Sequence, residues 1–182
     1  MAVDPQQFRQ LALAELDAVH RLAVHLCRDA DAAGDLVQET FARAFAAAPT
    51  FRLGERGIRP WLFKILHNVF YNSLGRQQRE PTLLDDLQSE AVAHELDAEP
   101  PAWDLSSLDW EYVDDRLKRA VDELPTTYRA ILLLWAVEGL KYREIADVID
   151  IPLGTVMSRL YRARMTLSAA LADLAKEKGI EL

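Results

Sequence analysis

The sequence predicts an all-α protein of two small helical domains joined by an acidic linker, the C-terminal domain being a helix-turn-helix. Three observations predict it. Ala and Leu supply 54 of 182 residues, whereas Gly and Pro supply only 15, too little punctuation for a many-stranded sheet. Apolar residues recur at spacings of three and four in both halves of the chain. The net charge of −8 lies wholly in residues 81–110, where Asp85, Asp86, Glu90, Glu95, Asp97, Glu99, Asp104 and Asp109 stand without a Lys or Arg. Residues 1–80 sum to +1 and 111–182 to −1, so overall acidity says nothing against an anionic partner for either flank.

The N-terminal domain, residues 1–80, reads as three helices. Asp4-Pro5-Gln6-Gln7 is a start signal, with Asp at N-cap and Pro at N1. Ala12, Leu16, Val19, Ala23 and Leu26 then form one buried stripe. A second helix runs from about Ala32 to Ala48, burying Val37, Phe41, Ala44 and Ala48 with support from Leu36 and Phe45, and stops before Pro49. After a loop over Thr50–Arg59, Pro60 opens a third helix to about Arg79 that buries Leu62, Ile65, Leu66, Val69 and Phe70. The linker, residues 81–110, contains Pro100-Pro101 and no sustained helical period. It could carry a short helix around Leu83–Leu96, and Trp103 and Trp110 suggest docking points. Thirty residues reach ~100 Å when extended and roughly 30 Å on average as coil. In the C-terminal domain, residues 111–182, Val113, Leu117, Ala120 or Val121, and Leu124 mark a helix ended by Pro125. A nearly all-apolar helix from Tyr128 ends at Gly139, a short one covers Tyr142–Ile149, and Pro152 opens a last long one.

Three polar constellations could carry function. On the last helix Val156, Leu160, Ala163 and Leu167 face inward. The outward arc then holds Thr155, Ser158, Tyr161, Arg162 and Met165, flanked by Arg159 and Arg164, with no acid from 151 to 172. Hydroxyls and guanidinium groups on one helical face suit a major groove. The third helix and its loop carry Arg52, Arg56, Arg59, Lys64, Arg76 and Arg79 against Glu55 alone. Lys64, Asn68, Tyr71, Asn72 and Arg76 combine cations, amides and an aromatic, the set that single-stranded nucleic acid requires. The third constellation, Asp35, Gln38 and Glu39 with Arg43, is either a solvated face or a docking surface.

Chemistry of other kinds finds no support. No apolar run approaches the ~20 residues that span a bilayer, and Met1–Pro5 lacks the basic head of an export signal. Membrane insertion is not expected, and one cysteine, Cys27, fits a reducing cytoplasm. On one helix His20 and Cys27 lie ~10 Å apart along the axis, so they share no metal with His25. No metal, cofactor or catalytic residue is expected.

These residues resemble a family. Asp35-Leu36-Val37-Gln38-Glu39-Thr40-Phe41, then Pro60-Trp61-Leu62-Phe63-Lys64-Ile65 with Asn68, Leu124-Pro125 with Tyr128-Arg129, Tyr142-Arg143-Glu144-Ile145-Ala146, and Pro152 to Arg164 are similar, in order, to the extracytoplasmic-function sigma factors of bacterial RNA polymerase. The resemblance covers nearly the whole chain outside the linker. It implies that Asp35, Leu36, Gln38 and Glu39 bind the polymerase clamp helices. It implies that Lys64, Asn68, Tyr71, Asn72 and Arg76 contact the −10 strand, beside a loop, Phe51–Arg59, that holds a flipped base. Ser158, Tyr161 and Arg162 then meet the −35 element, with Thr155 beside them and Arg159 and Arg164 on phosphates. The expected partners are core RNA polymerase, through its clamp helices and flap, promoter DNA and an anti-sigma factor. The linker corresponds to a segment threaded through the polymerase cleft. The chain departs from the family pattern at Gly34, His67, Asp150 and Met157, where Glu, Arg, Gly and a cation are common. Asp150 must then take up the left-handed turn that Gly usually supplies. The rival reading is a self-sufficient helix-turn-helix regulator, which binds a symmetric duplex site without polymerase.

Overall fold

The computed structural model describes residues 3–54, 56–74 and 114–170, together with 172 and 176. The expectations for Arg76, Arg79, the linker 81–110 with its tryptophans, Val113 and the end of the last helix near Leu174 lie outside these. The described residues hold eight α-helices and one 3₁₀ turn, in two units. The first unit comprises residues 1–82 with 144–150, and the second 83–143 with 151–182.

In the first unit α1 is Pro5–Ala14 and α2 is Leu16–Cys27. Asp4 caps α1 through its carboxylate, which accepts from the Gln6 and Gln7 N–H groups at 2.8 and 3.2 Å. The single first helix expected from the sequence is thus two. At Glu15 (φ −96°, ψ 7°) the backbone leaves the helix, and its N–H bonds the Ala12 carbonyl at 3.2 Å. The break displaces Leu16 from the buried stripe, while Ala12, Val19, Ala23 and Leu26 stay inside as expected. Leu16, expected inside, is 41% exposed, and Phe8, Ala18 and Leu22 join the core instead. Helix α2 ends at Arg28 in the left-handed region (φ 58°). Asp29 then caps α3, Ala30–Ala47, by accepting from the Ala32 N–H at 2.7 Å. A 3₁₀ turn, Ala48–Thr50, follows at Pro49, and α4 runs Arg59–Leu74. Helices α2, α3 and α4 pack mutually around Val19, Ala23, Leu26, Phe41, Leu62 and Leu66. Ile65, expected inside α4, is half-buried; Phe63 and His67 are inside instead.

In the second unit α5 is Asp115–Glu123, capped by Asp114, and α6 is Thr126–Ala136. Ile131 through Trp135 are buried all round, as a helix apolar on every side must be. The stop at Gly139 takes φ +67°, and the Leu140 N–H closes onto the Leu134 carbonyl at 2.9 Å. Helix α7, Tyr142–Ile149, falls mostly in the first unit, and α8, Leu153–Ala170, lies in the second. Helix α8 packs on α6 and α5 through Val156, Leu160 and Ala163, each fully buried.

Asp150 occupies the turn before α8 at φ 61°, as the sequence required, and its N–H bonds the Ala146 carbonyl at 2.9 Å. Asp tolerates this region better than most side chains, and a β-branched residue tolerates it worst. Asp150→Gly should therefore raise the unfolding free energy by roughly 0.5 kcal/mol, and Asp150→Val should lower it by about 1–2 kcal/mol. Urea denaturation of the three proteins checks both signs.

Candidate nucleic-acid interface

Helix α3 presents Asp35, Gln38 and Glu39 to solvent on one face. The Arg43 Nε donates to Glu39 Oε1 at 2.7 Å, both side chains half exposed, so this i,i+4 pair partly neutralises Glu39. Leu36, expected on the same binding surface, is only 7% exposed. Its position one residue from Asp35 turns it about 100° toward the core. It still lines a cleft of about 430 Å³ with Asp35, Glu39, Val69, Phe70 and Leu74. The cleft therefore has an apolar floor between α3 and α4 and carboxylates at its α3 lip. Cys27 also lines it, half-buried, its thiol raised by burial and by Asp29.

Helix α4 places Asn68 and Asn72 in solvent and leaves Lys64 and Tyr71 half-exposed. The loop before it exposes Arg52, Gly54, Arg56 and Gly57 between two buried anchors, Phe51 and Ile58. Gly57 has φ +70°, and its N–H bonds the Gly54 carbonyl at 3.2 Å. Cations and amides thus meet solvent along one loop and the helix that follows it, as separate phosphate and base contacts require. Arg76 lies outside the described residues.

His67 differs from its sequence expectation. Arg is common there in the family that the sequence resembles, yet the His67 ring is 9% exposed and packs at a 37° tilt against Tyr71, centroids 4.3 Å apart. Neither ring nitrogen has a well-formed hydrogen bond. Burial lowers its pKa from 6.5 to about 4, against a partial upward pull from the Asn68 side chain. At neutral pH it is an uncharged wedge under Tyr71.

On α8 the structure narrows the expected DNA face. Tyr161 and Arg162 are half-buried, and Arg164 and Met165 are exposed. Thr155, Ser158 and Arg159, expected outward, are only 7%, 7% and 6% exposed. Arg159 is buried because it lies about 60° from Val156 and shares the core-facing side. Thr155 sits in the first turn, and the Ser158 hydroxyl donates back to its carbonyl at 3.1 Å. Ser158 lies about 160° from Val156, so its burial comes from outside the core stripe. Sequence reasoning also missed a stacked pair: the Arg164 guanidinium lies over the Trp135 ring, 5.6 Å from its centroid. Residues on different helices leave no periodic signal of such a contact.

Comparison with known proteins bears on the whole arrangement. Residues 11–80 match the family model "Sigma-70 region 2", and residues 114–167 match "Sigma-70, region 4". The chain is 33% identical to the RNA polymerase sigma-H factor of Pseudomonas aeruginosa, over 96% of this chain and 91% of that protein. It is 34% identical to the ECF RNA polymerase sigma factor EcfG of Rhodopseudomonas palustris, over 92% of this chain and 87% of that one. The sigma factor RpoE of Bartonella quintana, solved in complex with the anti-sigma factor NepR, superposes with a TM-score of 0.68 at 27% identity, covering 91% of this chain and 96% of that one. With both halves of its helical framework matched, the chain belongs to the extracytoplasmic-function group of the sigma-70 family of RNA polymerase sigma factors.

Proposed function

We propose that this sigma factor directs core RNA polymerase to promoters through three surfaces on its described helices. Asp35, Gln38 and Glu39 seat on the polymerase clamp helices, with Leu36 forming the floor beneath them. Lys64, Asn68, Tyr71 and Asn72, with Arg76 beyond them, hold the −10 strand beside the basic loop. Tyr161, Arg162 and Arg164 meet the −35 element. Thr155, Ser158 and Arg159, which are out of solvent, add little to that contact. One observation supports the reading most: a single small unit carries an exposed carboxylate–amide face on α3 and, on α4, exposed amides beside a half-exposed cation and aromatic. A self-sufficient regulator has no use for the first of these.

Residues 1–80 and 111–182 act in this reading as two weak DNA modules tethered by 81–110. Affinity then comes from effective concentration once both are mounted on polymerase, with steep salt dependence. The flap is the expected seat of the second module. The protein supplies binding and strand capture, with no catalytic step or cofactor of its own, and works in the cytoplasm. Among the described residues no helix is long and apolar enough to cross a membrane. An anti-sigma factor is the expected inhibitor.

Reconstitution tests this. Core polymerase with the chain should start transcripts at discrete promoters, and core polymerase alone should not. Sequence-specific duplex binding by the chain without polymerase, with no transcription on adding core, overturns the reading. Within that assay Arg162→Ala should weaken upstream recognition by about 1–3 kcal/mol at one base position if the side chain reads a base edge. A loss uniform across upstream sequences assigns Arg162 to phosphate instead.

A further inference from the structure

The loop 51–58 carries exposed arginines, and its two ends are tied to α1 and to the break that follows it. At its start Phe51, 4% exposed, packs edge-on against Phe8 of α1 at 5.4 Å and at a tilt against Trp61 at 4.9 Å. Phe8 also meets Trp61 edge-on at 5.8 Å and Phe45 at 5.9 Å, so it stands at the centre of the aromatic cluster. At its end the Arg59 Nε donates to Glu15 Oε2 at 2.6 Å, across 44 residues of sequence. Glu15 is the residue at which α1 breaks from α2. Its side chain is 20% exposed and that of Arg59 39%, so the pair is partly shielded from screening.

We propose that Phe8 and Glu15 are positioning residues: α1 and its break form a brace that holds the basic loop 51–59 in the shape that selects the −10 strand. The proposal rests on the promoter reading above. Two fixed ends restrict the conformations of the loop between them, and a restricted loop loses less entropy when it closes on a strand. The ion pair occupies the Arg59 Nε–H and fixes the plane of a half-exposed guanidinium. Phe8 precedes the stretch that matches region 2, which begins at residue 11, so the brace draws on a residue outside that pattern.

The test uses full-length chain, core polymerase and a duplex library randomised separately at the −10 and −35 windows, sequenced after selection for open complexes. Wild type should enrich one motif in each window. Glu15→Gln keeps the side chain's size and removes its charge, and should cut enrichment of the −10 motif about tenfold, the worth of one base contact, with −35 enrichment and core affinity unchanged. Phe8→Leu keeps an apolar filling but loses the edge contacts, and should act in the same direction. Selection of the wild-type −10 motif at full strength by both variants overturns the brace. So does a parallel fall in −10 enrichment, −35 enrichment and core affinity, which marks a general loss of fold. If wild-type holoenzyme enriches no motif, the promoter reading itself fails, an outcome distinct from the other two.

Discussion

Asp35→Lys should weaken association with core RNA polymerase by about 3 kcal/mol, on the order of 150-fold in Kd. Asp35 is exposed near the start of α3, at the lip of a cleft floored by Leu36, Val69 and Phe70. Glu39, one turn further on, already shares its charge with Arg43, so Asp35 carries the less compensated carboxylate of this face. Reversing it removes an attraction and adds a repulsion against the same partner, and the apolar floor brings that partner close enough to exclude water. Asp35→Asn should cost about a third as much, since it removes the attraction alone. Because the side chain is exposed, the melting transition of either variant should stay within about 0.5 kcal/mol of wild type. Titrating labelled chain with core polymerase by anisotropy measures the effect. An unchanged Kd for Asp35→Lys would move the polymerase contact off this face of α3.

Local grammar was legible in the sequence, and long-range pairing was not. Asp4 before Pro5, Gly139 after an apolar run and Asp150 in the turn each act within a few residues, and each sits where the sequence put it. The inward set Val156, Leu160 and Ala163 followed from helical period alone. The break at Glu15 carries no Gly or Pro, so no local signal announced it, and Leu16, just past it, is exposed. Phe8 was readable in retrospect, four residues before Ala12 on the same stripe. The Glu15–Arg59 pair and the stack of Arg164 on Trp135 depend on how helices meet, which periodicity within one helix does not encode. Residue type also misled at α8. Thr155, Ser158 and Arg159 are polar, yet all three are out of solvent.

His67 should make the first unit sensitive to acid, and the sign follows from its depressed pKa. The folded ring holds a proton only near pH 4, whereas in the unfolded chain it does so near 6.5. Between these values the unfolded state binds more protons, so stability falls as pH falls. His67's favourable contribution is complete above about pH 6.5 and is lost by about pH 4, a change of about 3 kcal/mol. His67→Phe keeps a ring against Tyr71 and removes two nitrogens that lack good hydrogen bonds, so it should abolish this part of the acid sensitivity. At pH 7.5 it should also stabilise the unit by about 1 kcal/mol, by sparing an unsatisfied buried polar group. Urea denaturation of both proteins from pH 7.5 to 4.5 gives the difference in slope, and NMR of the ring C–H gives the titration directly. A midpoint near 6.5 would mean that water reaches the ring. His67 would then be free to charge, and Tyr71 would rest on a cation in mild acid where at neutral pH it rests on an uncharged ring.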